Sequence, residues 1–99
     1  MPTTNTLTWN KNTELDVAKY NVYRKVGSAP TRTPSDVLTS VVATSLATQT
    51  YVDTVTIDGE YFYGVTAVDL SNNESPLSAI KSKLVDSVPP VAPTGLVVV

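Results

Sequence analysis

Cysteine and histidine are both absent from the 99 residues. Their absence removes disulfides, thiolate zinc sites, thiol nucleophiles and imidazole general bases together. It leaves the compartment open, because a domain of this size can bury enough apolar area without a covalent staple. Long apolar runs are missing as well: no stretch approaches the ~20 residues of a membrane span, so no membrane insertion is expected. The opening "MPTTNTLTW" lacks the charged and apolar regions of a signal peptide. A removed leader, an export-independent route or a cut boundary would each account for that. An excess of one charge is lacking too. The net charge is -2, and the seven Lys and Arg residues are scattered from Lys11 to Lys83 without an aromatic-interleaved basic stripe. Counterion-release binding needs such a patch, which sets nucleic acid aside as a partner.

What the chain does have is valine and threonine, nearly a third of its residues, with only four glycines and no long run of period 3.6. That composition predicts an all-β domain with a single core. "LTW", Leu7 to Trp9, places two large apolar residues on one side of a short inner strand. "NKNTELDV" reads as an exposed connection, and "AKYNVYRKV" as a central strand with Tyr20 and Val22 on one face and Tyr23 on the other. "GSAPTRTPSD" carries Pro30 and Pro34, which prevent a continuous ladder, and so reads as a loop. Val37 to Ala43 is expected to be an edge strand and Thr48 to Val52 another. "DG", Asp58 and Gly59, is a turn into a long central strand, with Tyr61, Tyr63, Val65 and Ala67 facing inward and Phe62, Gly64, Thr66 and Val68 on the other face. "DLSNNESP" is a polar turn, and Ser78 to Val85 is its hairpin partner. Pro89 and Pro90 then stiffen an extended connector, after which a new β run, "GLVVV", begins.

Several short strands separated by turn signals fit an antiparallel sandwich. From "LTW" onward, with "YNVYRK", "TYVDT" and "GEYFYGVTAVDLSNNES" following in order, the chain resembles a fibronectin type III module of the bacterial and phage-associated sort. The resemblance covers about nine-tenths of the chain. It implies an immunoglobulin-like antiparallel β-sandwich of about seven strands. It also implies a core holding Trp9, Tyr20, Val22, Tyr61, Tyr63 and Val65, with the Tyr61 hydroxyl bonding to backbone near Thr56 to Asp58. Trp9 and Tyr61 are core residues under this resemblance, not functional ones.

Such a module normally opens with a segment like "PPxAPxGLxV". Here six residues precede Leu7 and hold no apolar run, while Pro89 to Val99 supply that signature at the other end. The sequence therefore divides into residues 1–86, a module without its own first strand, and residues 87–99, a Pro-rich linker with a first-strand-like segment. Three readings of the segment stay open. It is the first strand of a following tandem module, or it folds back on its own domain, or it is donated to a neighbouring copy. Folding back would require a return of ~25 Å at about 3.3 Å per residue. The roughly seven linker residues from Asp86 to Ala92 reach at most ~24 Å. Donation would use Leu96, Val97, Val98 and Val99 against an acceptor strand at Leu7, Thr8 and Trp9.

The turn at Asp69, Asn72, Asn73 and Glu74 offers oxygen ligands for calcium, but a hairpin turn needs the same residue types and the spacing of a calcium hand is absent. No cofactor is expected. Asn73-Glu74-Ser75 is a nominal glycosylation sequon. Glu14 with Asp16 and Asp58 with Glu60 fall in loops at opposite ends, so they are not the facing carboxyls, ~5 to 9.5 Å apart, of a glycosidase. The integrin-binding Arg-Gly-Asp of animal relatives is not present in this turn. Tyr23 and Phe62 are either an exposed aromatic pair or, the reading preferred here, buried under the loop from Gly27 to Asp36. The expected function is structural and non-catalytic: spacing or linking neighbouring copies or adjacent modules, extracellularly, at a cell surface or in a phage virion. The alternative is a protein- or glycan-binding module.

Overall fold

Alternation in the sequence becomes alternation in burial. In the stretch from Thr48 to Val55, Gln49, Tyr51, Asp53 and Val55 turn inward, while Thr48, Thr50, Val52 and Thr54 are exposed. This is the two-residue period of a strand with one covered face. The computed structural model describes residues 2–99. It contains six strands: β1 (Thr3–Asn10), β2 (Val17–Val26), β3 (Val37–Val42), β4 (Thr48–Val55), β5 (Gly59–Asp69) and β6 (Lys81–Val85). β1 and β4 form a two-stranded sheet, and β3-β2-β5-β6 a four-stranded one. Every pairing is antiparallel, and no helix occurs among the described residues.

Between the sheets lies a core of Val22, Val55, Tyr61, Tyr63 and Val85, with Leu7, Trp9, Leu38, Val41, Tyr51 and Val65 packed against it. Tyr20, 1% exposed, stacks edge-on against Trp9 with ring centroids 5.5 Å apart. Each aromatic or valine so buried contributes roughly 1.5–3 kcal/mol relative to exposure. Tyr61 donates its hydroxyl hydrogen to Ile57 O at 2.6 Å, inside the stretch from Thr56 to Asp58.

β5 is covered on both faces. Beyond the core face, Gly64, Thr66 and Val68 are also buried, because residues 74–80 fold back along β5, with Ser75 N bonded to Ala67 O and Ser78 N to Val65 O. A Cβ at Gly64 would stand 2.8 Å from Ile80 Cδ1 and 2.9 Å from Leu77 Cδ2, so a larger residue here would push these two side-chain ends off the strand.

The structure alters several sequence expectations. β1 runs from Thr3 rather than Leu7, because Thr3 to Thr6 pair with Val52 to Val55; their threonines are β-formers without an apolar signal. β4 extends three residues past Val52, to Val55. β6 starts at Lys81 rather than Ser78, since Ser78 Oγ takes the Val65 amide that a regular ladder would use. Among the described residues six strands are present instead of about seven, and Gly95 to Val99 form none. Tyr23, 2% exposed, is buried, with its hydroxyl on Glu74 of the β5–β6 connection. Phe62 is half-buried.

The register defines two poles. Thr3, Val55, Gly59 and Val85 gather at one, the exit pole, from which residues 86–99 leave; Asn10, Thr48, Val17 and Asp69 gather at the far pole. The segment 86–99 makes the molecule 72 Å long and only 27 × 22 Å across.

Candidate functional site

The feature that the fold leaves incomplete is the side of the molecule where β1 faces β6. Antiparallel residues present their backbone N–H and C=O to alternate edges. Lys11 N bonds to Ala47 O on the β4 side, which assigns the odd residues of β1 to β4. Thr4 O instead receives Lys83 Nζ at 3.3 Å, away from β4. The backbone groups of Thr4, Thr6, Thr8 and Asn10 therefore point to an edge with no strand beside it among the described residues. Unpaired edges of this kind are templates for strand addition.

Alongside that edge runs a groove of about 680 Å³, floored by Leu7, Trp9, Tyr63 and Val65 and walled by Ser78, Ala79 and Lys83. Two buried polar atoms of its lining residues have no hydrogen-bond partner: Asn5 Oδ1 and Trp9 Nε1. An unsatisfied buried polar atom costs about 1–3 kcal/mol, so this flank is the part of the core least complete as it stands.

Asn5 also belongs to a polar relay that crosses both sheets. Its Nδ2 donates to the Tyr63 hydroxyl at 2.9 Å, and that hydroxyl donates to Asp53 Oδ2 at 2.6 Å. Both Asp53 oxygens receive Arg24 Nη1 at 3.0 Å, while the guanidinium lies 5.7 Å from the centre of the Tyr61 ring. Burial, with the Asp53 carboxylate beside it and against the opposing hydrogen bond from Asn5, pushes the Tyr63 hydroxyl up to about 12. It therefore remains a proton donor throughout the physiological range. Sequence reasoning overlooked Asn5, Arg24 and Asp53. The available signal was inward phase: Asp53 lies two residues from Tyr51 and from Val55, on the face they turn to the core.

Leu96, Val97, Val98 and Val99 lie at the other end of the molecule, 73% exposed or more, and the structure brings none of them to Leu7, Thr8 or Trp9. The base of the segment is held: Ser87 N and Oγ donate to Asp58 Oδ1 at 3.1 and 2.8 Å. Gly95, at φ 78°, adopts a left-handed turn just before the valines, a conformation that favours glycine.

The oxygen-rich turn is organised by its own backbone. Asp69 Oδ1 accepts from Ser71 N and Asn73 N, and Asp69 Oδ2 accepts from Asn73 Nδ2. The bonds from Asn73 hold the Asp69 carboxyl below its ordinary range. Asn72 takes a left-handed φ of 67°. Glu74 turns away from the turn, accepting from Thr66 Oγ1 at 2.6 Å, from Asn21 Nδ2 at 3.2 Å and from the Tyr23 hydroxyl. No group of three or more acidic, His or Cys side chains converges on one point among the described residues. Glu14 and Asp16 lie at the far pole, Asp58 and Glu60 at the exit pole, so the two carboxylate pairs are separated by the length of β5.

Fold and groove together define an all-β protein of two antiparallel sheets with one unpaired edge beside an apolar groove. No protein-family model, no curated protein and no solved structure matches this chain.

Proposed function

We propose that the chain is a non-catalytic structural module, an immunoglobulin-like β-sandwich of the fibronectin type III sort, that links neighbouring copies by strand addition. One observation carries the reading. The same chain holds an unpaired β1 edge beside an apolar groove and an exposed, β-forming segment from Leu96 to Val99 with no strand partner of its own. Main-chain bonds along Thr4, Thr6 and Thr8 supply affinity, and the apolar side chains of the donor fill the groove. The setting this suits is a surface fibre, a virion tail or a secreted multimodular protein.

Size-exclusion chromatography with light scattering on the full chain and on a version ending at Asp86 tests it. The full chain forms concentration-dependent assemblies and the shortened one remains a monomer. A full chain that stays monomeric at millimolar concentration overturns the proposal.

A second reading, a protein- or glycan-binding module, draws on a different observation. Arg32 Nη1 donates to Glu74 O and Ser75 O at 3.4 and 3.2 Å, joining the loops Gly27 to Asp36 and Asp69 to Pro76 into one surface. Calorimetric titration of the shortened chain with oligosaccharides tests it; the first reading expects no heat.

A further inference from the structure

The groove has two different mouths. At the exit pole, Lys83 lies across it from β6 to the Thr4 carbonyl of β1. Toward the far pole it continues into a second hollow of about 250 Å³ beside Trp9, Asn10 and Ser78; there Asn12 N donates to the Tyr20 hydroxyl, but no side-chain hydrogen bond joins β1 to residues 74–80 among the described residues. The segment that would fill such a groove leaves from the exit pole, its base fixed by Ser87 on Asp58, and extends outward from there.

Resting on the strand-addition reading, we infer that the donated strand is the Gly95–Val99 segment of a second copy. It is inserted from the far pole and runs antiparallel to β1. Val99 then lies toward Thr4 and Lys83, and Thr94 toward Asn10. The direction decides the assembly. A strand antiparallel to β1 leaves one copy at its exit pole and enters the next at its far pole. The contact is heterologous, each copy donates in the same sense, and the result is a polar chain of copies. A strand parallel to β1 would have to enter at the exit pole, where Lys83 bridges the mouth. Two copies facing exit pole to exit pole would then exchange tails and close as a reciprocal pair. Antiparallel addition also matches every pairing in the molecule and the slightly stronger antiparallel ladder.

The absence of cysteine makes single introduced thiols unique for spin labelling. In the full chain, copies carrying V99C are mixed with copies carrying T4C or N10C, and distances between copies are read by electron double resonance. The 99-to-4 distance is expected to be shorter than the 99-to-10 distance by up to ~20 Å, the length of β1 between the two labels. Where V99C weakens assembly, T94C reports with the order reversed, closer to position 10. Light scattering on the same samples shows particle mass that continues to grow with concentration. The opposite order of distances, or a mass that saturates at two copies, overturns the direction while leaving strand addition standing. Absence of any assembly overturns strand addition itself, and the direction with it.

Discussion

β5 and β1 are both long strands at the core, and they differ in how completely the fold uses them. β5 has β2 on one edge and β6 on the other. Its inner face carries Tyr61 and Tyr63, and its outer face is closed by Leu77, Ile80 and Glu74. β1 has β4 on one edge only, and its inward residues include Asn5 and Trp9, each with a buried polar atom that finds no partner. The difference teaches where the core is closed and where it is left open. β5 is paired on both edges inside its sheet, whereas β1 keeps a flank that another strand can complete.

If the two sheets are held together by the relay through Asn5, Tyr63, Asp53 and Arg24, removing its central carboxylate produces the largest loss. Asp53→Ala leaves the Arg24 charge and the Tyr63 hydroxyl without their partner. It should lower unfolding free energy by about 3 kcal/mol in urea titrations, the low end for a broken buried pair because the Arg24 side chain is 31% exposed. Saturation of β5 is probed by Gly64→Ala. The new methyl meets the terminal methyls of Ile80 and Leu77 at less than 3.0 Å; these flexible ends can move aside, so the cost should be about 1 kcal/mol, the low end for overpacking. On the outward side of β1, where Thr8 is exposed, the isosteric exchange of a hydroxyl for a methyl in Thr8→Val should be neutral within ~0.5 kcal/mol. Tyr61→Phe removes one hydrogen bond to Ile57 O and should cost about 1 kcal/mol.

A smaller effect concerns pH. Burial raises the Glu74 carboxyl, but bonds from Thr66, Tyr23 and Asn21, with the Arg32 charge nearby, outweigh it and hold the group below its ordinary 4.5. A depressed folded value means stability that is present above pH 4.5 and lost as pH falls through the lower folded value. The urea midpoint of the native chain should therefore fall more steeply below pH 4.5 than that of Glu74→Gln. Smallest of all, ending the chain at Asp86 should leave the thermal midpoint of the dilute monomer nearly unchanged. The removed residues are tied to the rest of the molecule by the bonds of Ser87 to Asp58 and of Val88 N to Asp86 Oδ1.

Most strands were legible in the sequence because alternating apolar residues and β-formers impose a period that both sheets obey. The inward phase of Tyr20 and Val22 and of Tyr61 and Tyr63 follows directly from it. The first half of β1 was not legible: Thr3, Thr4, Asn5 and Thr6 carry no apolar signal, and the pairing with Val52 to Val55 is a long-range fact. The same holds for Gln49, 2% exposed. It looks like a surface residue until its side chain is seen to take Leu46 O, Thr44 Oγ1 and the Thr44 amide in the turn before β4. The candidate site was half legible. The apolar run at Leu96 to Val99 is plain in the sequence, as are Leu7 and Trp9, which line the groove floor. The contribution of Ser78 and Ala79 depends on the irregular path of residues 74–80, which no periodicity announces.

The acceptor role of β1 is tested most directly by residue-resolved amide hydrogen exchange on the full chain, dilute and concentrated. The odd amides from Asn5 to Trp9, already bonded toward β4, should be protected at both concentrations. Those of Thr6 and Thr8 should exchange freely when dilute and become protected as copies associate. Thr6 and Thr8 amides that remain unprotected in assembled material would contradict strand addition at this edge.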